Sequence, residues 1–211
     1  MTLNCNDKII DFNTQKIMGI LNLSKDSFYD GGKYSSLGEV ISRVSEMIDQ
    51  GAEIIDIGAV SSRPGSKIIK GEDELKLIKD YIVELTSNFK NISFSIDTYN
   101  SVVADFALKN GFNIINDISS GKYDVRLLDI IKEYQAGYVI MHMQGDPENM
   151  QDKPTYKNVV RSISGFFDSK IEELHNQNIE NIIIDPGFGF GKSIEHNFQI
   201  LNKLKEFKKY K

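Results

Sequence analysis

The 211-residue sequence holds one cysteine, four prolines and no tryptophan. A lone Cys5 closes no internal disulfide and builds no thiolate cage for zinc, which points to a reducing compartment and, by default, the cytoplasm. Excess basic charge is also missing. The 25 Lys and Arg stand against 30 Asp and Glu, leaving a net charge of −5, so no electrostatic footprint suits nucleic acid or an anionic membrane. No apolar run approaches the roughly 20 residues of a membrane span. The polar start Met1 to Lys8 lacks the basic-then-apolar plan of a signal peptide. What remains, 40% hydrophobic and 26% charged, is the composition of a globular chain long enough to bury a core.

Short Ile- and Val-rich runs alternate with longer helical patterns, the signature of repeated βα units. The apolar runs predict strands at Lys16 to Leu23, Glu53 to Ile57, Ile92 to Ile96, Asn113 to Asn116, Tyr138 to Met141 and Asn181 to Ile184. Between them, Leu37 to Gln50 puts Val40, Ile41, Val44, Met47 and Ile48 on one helical face and meets a stop at Gly51. Further helices fit Asp73 to Leu85, Ser101 to Asn110, Val125 to Tyr134, Val159 to Asn176 and Ile194 to Leu204, with Phe166 and Phe167 read as core packing. Ahead of the first strand, Asn4 to Asn13 reads as a small hairpin closing one end. Strands this apolar need cover on both faces, so the sheet is expected to be parallel. Six units fit an open doubly wound sheet by number, whereas a (β/α)8 barrel needs eight strands.

The strand ends argue for the barrel. Nearly every run finishes in a polar residue: Asn22, Asp56, Asp97, Asn116, His142 and Asp185. A barrel gathers such ends at one mouth, whereas an open sheet spreads them along a crevice. Each residue alone fits a turn or helix cap equally well; six in succession favour a shared pocket. The run Pro186-Gly187-Phe188-Gly189-Phe190-Gly191-Lys192-Ser193 sits between strand and helix, but Pro186 stands where a Walker A loop needs its first glycine. No dinucleotide glycine fingerprint follows the first strand either. In the loop Ser61-Ser62-Arg63-Pro64-Gly65, Arg63 offers a fork of donors suited to phosphate. His142 has no second histidine or glutamate at metal-ligand spacing and reads as a hydrogen-bonded structural histidine; His175 and His196 read as surface residues.

Taken in order, Met18-Gly19-Ile20-Leu21-Asn22, Asp26-Ser27-Phe28, Asp30-Gly31-Gly32, Gly51 to Gly58, Ser62-Arg63-Pro64-Gly65, Ser95-Ile96-Asp97-Thr98, Ile115-Asn116-Asp117-Ile118, Met141-His142-Met143-Gln144-Gly145 and Asp185 to Lys192 resemble dihydropteroate synthases of folate biosynthesis. The resemblance runs from Met18 to about Leu204. It implies a transferase on a (β/α)8 TIM barrel of the pterin-binding type. The reaction implied joins 6-hydroxymethyl-dihydropterin diphosphate to 4-aminobenzoate and releases diphosphate, with Mg2+ as cofactor and sulfonamides as mimics of 4-aminobenzoate. A homodimer is implied as well. The whole chain is then expected to be one pterin-binding domain, with 1–15 as the hairpin at the barrel bottom and 16–211 as six βα units.

The same resemblance assigns roles residue by residue. Asp97, Asn116 and Asp185 would hold the pterin edge, Met141 and Ile118 would pack on its ring, and Gly189 would border it. Asn22 would be the Mg2+ ligand near the diphosphate. Ser62 and Arg63 would meet the diphosphate, while Phe28, Pro64, Phe190 and Gly191 would surround 4-aminobenzoate. Asn22, Arg63, Asp97 and Asp185 form the implied catalytic set. Departures from the family pattern are Lys25 before Asp-Ser-Phe, Ala59-Val60, and Ser62 in place of threonine. The family pattern continues with Ser-Arg-Lys and Arg-x-His segments that do not appear before Lys211. The expectation is therefore a C-terminally shortened chain with little or no diphosphate release. Two other readings are a methyltetrahydrofolate-type methyltransferase domain, opposed by Ser62-Arg63-Pro64-Gly65, and a non-catalytic pterin-binding remnant.

Overall fold

A computed structural model describes residues 2–23, 36–59 and 69–210. A hairpin, β1 (Thr2–Cys5) and β2 (Lys8–Asp11), pairs antiparallel with Leu3 opposite Ile10. It turns through Asn6 and Asp7, both at positive φ, where Asn and Asp tolerate the left-handed conformation best. Six parallel strands follow: β3 (Met18–Asn22), β4 (Ile54–Gly58), β5 (Ser93–Asp97), β6 (Ile114–Asp117), β7 (Gly137–Met141) and β8 (Ile182–Asp185). They lie side by side in chain order. That consecutive order belongs to a barrel wall and excludes the doubly wound sheet, whose strand order reverses at a switch point.

Helices α1 (Leu37–Asp49), α2 (Gly71–Asn88), α3 (Ser101–Lys109), α4 (Arg126–Tyr134), α5 (Val159–Asn176) and α6 (Ile194–Asn202) connect or follow the strands. The α1 start is a capping box in which the Ser36 side chain and the Glu39 side chain satisfy each other's backbone N–H. Val40, Val44 and Met47 of α1 are buried, with Ile41 and Ile48 half-buried beside them. The last predicted helix is shorter than expected, and a 3-10 turn at Leu204–Tyr210 follows it. There Phe207 packs on Phe167, and Tyr210 donates to the Ser164 carbonyl at 2.7 Å.

Strand periodicity sorts the apolar residues into two cores. Leu21, Ile55, Ile57, Phe94, Ile96, Ile115, Tyr138 and Ile140 point outward and pack with the helices. The alternate positions Met18, Ile54, Ile114, Val139 and Ile183 point inward, where Leu3, Cys5, Ile10 and Phe12 of the hairpin region meet them. The hairpin is thus a plug across the N-terminal ends of the strands. Gly137 leaves room for it: a Cβ there would stand 2.8 Å from Cys5 Sγ.

Candidate active site

Further up the inward-facing rows the side chains change from apolar to polar, two residues on from Ile54, Ile114 and Ile183 and four on from Met18. Asn22, Gly58, Asp97 and Asn116 are register partners across β3, β4, β5 and β6, so they form one row at the C-terminal ends of four neighbouring strands. Asp56, one inward position below Gly58, is 4% exposed and accepts from Asn116 Nδ2 through Oδ2 at 3.0 Å. Its Oδ1 has no hydrogen-bond partner. Across β7 and β8 the polar level climbs further along the strands: Val139 sits opposite Asn116, and Met141 pairs with Asp185. Such a climb is the stagger of a closing barrel.

Gly58 is the open notch in this row. A Cβ at that position would stand 3.3 Å from both Asn22 Oδ1 and Asp97 Oδ2, so the absent side chain lets a carboxamide and a carboxylate face the same space. Burial raises the Asp97 carboxyl well above the usual carboxylate range, and Asp56, Glu74 and Asp117 push it the same way. Burial also raises Asp56, against the pull of hydrogen bonds that include the Asn116 amide. Asp185 is raised by burial too, while the Gly187 N–H at 2.7 Å and the Lys192 charge pull it back. A buried carboxyl group and two half-buried ones, with acceptor atoms to spare, call for a ligand rich in N–H donors.

An apolar wall adjoins them. Tyr99, Ile118 and Met141 are buried together, with Tyr123, Met143 and Phe190 packed against them. Tyr99 and Tyr123 meet edge to face at 5.3 Å, and Tyr123 donates to Asp146 at 2.9 Å. The tyrosines escaped the sequence reading because neither ends a strand, although Tyr99 lies two residues past Asp97. Asp117, beside Asn116, is fully buried but turned to its own loop, accepting from Ser119 N, Gly121 N and Tyr138 Oη at 2.6 to 2.9 Å.

The glycine run is fixed by close backbone approach. Gly187 has φ +70°, and a Cβ there would fall 2.2 Å from the His142 carbonyl; at Gly191, φ +61°, it would fall 2.5 Å from the Gln144 carbonyl. Lys192, 3% exposed, donates to the His142 and Phe190 carbonyls at 2.9 Å each. Gly189 N donates to Asn197 at 2.9 Å, and its carbonyl accepts from Gln151. The Gly191 carbonyl accepts from Tyr156 Oη at 2.8 Å. Gly189 and Gly191 are therefore anchored through their backbones beside the end of β7, and Phe190 joins the apolar wall.

His142 does not join the pocket. It occupies the outward phase of β7 and sits between the rings of Tyr156 and Phe166, at 6.0 and 5.4 Å. The expected hydrogen-bonded structural histidine is half right, since the residue is buried but its Nδ1 is unpartnered. His196 is also no free surface residue: its Nδ1 accepts from Ser193 N at 3.1 Å in the capping box of α6. His175 is exposed as expected. Phe28, Ser62, Arg63 and Pro64 lie outside the described residues.

A model of the family described as pterin binding enzyme matches residues 18–211. Dihydropteroate synthase of Haemophilus influenzae is 39% identical over 209 residues, covering 98% of this chain and 75% of that protein. The bifunctional dihydropteroate synthase/dihydropteroate reductase of Helicobacter pylori is 37% identical over 201 residues; the chain spans only 52% of its length. Among solved structures, Yersinia pestis dihydropteroate synthase in a sulfonamide drug complex superposes with a TM-score of 0.93 at 34% identity, covering 98% of this chain and 75% of that one. The Xanthomonas albilineans enzyme with 7,8-dihydropteroate gives 0.83 at 28% identity, over 100% and 74%. Among the described residues no helix is long and apolar enough to cross a membrane.

Proposed function

The chain belongs to the pterin binding enzyme family, and from that membership we propose that it carries the pterin-reading half of a dihydropteroate synthase site. The reaction condenses 6-hydroxymethyl-dihydropterin diphosphate with 4-aminobenzoate. The observation that carries this reading is the Asn22–Gly58–Asp97–Asn116 row, with Asp56 beneath it and the Tyr99–Ile118–Met141 wall beside it. A pterin has a flat apolar ring face and an edge of amino and ring N–H donors. Asp97 and Asp185 accept from that edge, Asn116 reads it with its amide fixed by Asp56, and Ile118 and Met141 cover the face. Relatives named for the same enzyme, solved with 4-aminobenzoate and with dihydropteroate, support the substrate pair.

The chemistry follows from charge. When the bond from the pterin methylene to the diphosphate oxygen breaks, positive charge spreads from the methylene into the ring. Carboxylates fixed beside that ring stabilise it more than they stabilise the neutral ground state. The arylamine is already a neutral nucleophile. It forms the new N–C bond and gives its surplus proton to solvent, so no histidine or lysine base is required, in keeping with His142 facing away.

Mg2+ suits the Gly58 notch in donor chemistry. Asn22 offers a hard carboxamide oxygen there, and no group of three His, Cys, Asp or Glu able to hold a metal occurs among the described residues. An ion there would draw its remaining ligands from diphosphate oxygens and water, the usual habit of Mg2+. When bound, it would neutralise charge on the departing diphosphate. Asn22 is the residue of this chain that would hold it, and Arg63 and Ser62 would meet the same leaving group. Phe28, Pro64, Phe190 and Gly191 would frame 4-aminobenzoate and its sulfonamide mimics. Cytoplasmic residence and a homodimer complete the reading. Titration of the pterin substrate into the chain tests it: pterin binding that Asp97→Ala weakens by about tenfold or more is expected, and pterin binding that survives Asp97→Ala undiminished would refute the site.

A further inference from the structure

Glu74 stands in the first turn of α2, where an acidic side chain ordinarily faces water and the helix dipole. Here it is 1% exposed and continues the buried stripe of Ile78, Ile82 and Leu85. Its Oε2 accepts from Thr98 Oγ1 at 2.9 Å and from Asn100 Nδ2 at 2.6 Å. Thr98 Oγ1 in turn accepts from the Asn100 backbone N–H at 3.1 Å, and the Thr98 N–H reaches the Asn116 carbonyl at 3.0 Å. Tyr99, between these two, accepts from Ile69 N at 3.0 Å, and Asn100 Nδ2 also reaches the Ile69 carbonyl at 3.4 Å. Gly71 lets the start of α2 close on this segment, since a Cβ there would stand 3.2 Å from Asn100 Cβ. Thr98 and Asn100, on either side of Tyr99, are thus held by one buried carboxylate from the neighbouring unit. Burial pushes that carboxyl up to about 6 against the pull of Asn100 and Thr98. At neutral pH it is mainly ionised, and both donors it meets are then strengthened by its charge.

We infer that Glu74 is a positioning residue for the pterin pocket: by clamping Thr98 and Asn100 it fixes the backbone from which Asp97 reads the pterin edge and Tyr99 builds the apolar wall. The inference rests on the pterin reading above. Glu74 bonds to Thr98 and Asn100 and not to Asp97, so the effect passes through the placement of Asp97, where a displacement of about 1 Å takes a hydrogen bond out of its roughly 2.7–3.2 Å range.

The test titrates the pterin substrate into the chain and into Glu74→Gln, Asn100→Asp and the double variant of the two, with thermal melts in parallel. Asn100→Asp sets two carboxylates against each other, while Glu74→Gln removes the charge that strengthens both bonds and leaves an amide unpartnered where Oε1 stood. The double variant restores the bond between the two positions with donor and acceptor exchanged. The expected result is pterin affinity lowered about tenfold or more in each single variant, at a temperature where all remain folded, and largely recovered in the double. A purely structural role would lower the melting temperatures without moving affinity, and would overturn the inference. A folded double variant that binds no better than the weaker single would overturn it too. Should Glu74→Gln not fold, Thr98→Val removes one donor and keeps the shape; affinity equal to the parent chain would again overturn it. Failure of the parent chain to bind pterin defeats the functional reading itself, whereas parental binding with unaffected variants defeats only the role of Glu74.

Discussion

The two ends of the barrel wall are made from the same strands and treat their polar side chains in opposite ways. At the N-terminal end, Asn6 Nδ2 donates to the Leu108 and Phe112 carbonyls at 2.9 and 2.7 Å. Asn181 Nδ2 donates to Asn4 and Gln135 carbonyls at 2.7 and 2.9 Å, and Asn113 bonds to Phe94 N and the Cys5 carbonyl. Each polar side chain closes a backbone group, and the interior beyond them is the apolar plug. At the C-terminal end, Asp56 Oδ1 and Glu74 Oε1 are buried without partners, and burial raises the carboxyl groups of Asp97 and Asp185. Unmet buried polar atoms destabilise a fold by about 1–3 kcal/mol each. Their concentration at one end marks where the chain gives up stability for a ligand, and the satisfied end supplies the stability.

Ile10→Ala probes the stable end. Ile10 is 6% exposed inside the plug, so its truncation is expected to lower unfolding free energy by about 2–5 kcal/mol while leaving pterin affinity of the folded protein unchanged. Denaturant midpoints and a pterin titration check both halves, and a loss of affinity would dissolve the division between the ends.

His142 gives the next largest effect and a sign. Burial and the Lys192 charge hold its imidazole down to about 4 from an ordinary 6.5. The unfolded chain therefore takes up a proton that the folded chain refuses, and stability is lost as pH falls from 6.5 toward 4, by up to about 3 kcal/mol. Glu74, raised to about 6, works the other way: its buried charge is relieved as pH falls through 6 toward 4.5, returning about 2 kcal/mol. His142→Phe keeps a ring between Tyr156 and Phe166 and removes the titration. Urea midpoints at pH 7 and pH 4.5 are expected to fall in the parent chain relative to this variant; identical changes would show that His142 is not the acid-sensitive group.

A smaller effect sharpens the lower end. Asn181→Ala removes two hydrogen bonds that tie the residue before β8 to Asn4 of β1 and to Gln135 at the end of α4. It is expected to cost about 1 kcal/mol, read as a modest drop in melting temperature, with pterin affinity untouched.

The six-strand alternation was legible in the sequence because each strand carries a compact Ile- and Val-rich run and each helix a 3.6-residue stripe. The pocket was legible in part for a related reason, since Asn22, Asp97, Asn116 and Asp185 all end such runs. His142 was rightly read as structural but does not belong in the ring of strand ends, because the phase of β7 matters more than proximity to its end: Met141 is inward, so the next residue is outward. Glu74 was not singled out in the sequence. Its spacing of four from Ile78, itself four from Ile82, places it on the buried face and was the available signal. The pairings Glu74–Asn100 and Asp56–Asn116 join residues 26 and 60 positions apart, a separation that no local pattern encodes.

The central claim is that the unsatisfied end of the barrel reads a pterin, and Asp185→Asn tests it most directly by titration calorimetry with the pterin substrate and with 4-aminobenzoate. The amide turns a donor toward pterin N–H groups in place of an acceptor. Pterin affinity is expected to fall by about 1–3 kcal/mol, roughly ten- to hundredfold, with 4-aminobenzoate affinity nearly unchanged. Equal losses for the two ligands, or no loss for the pterin, would contradict it.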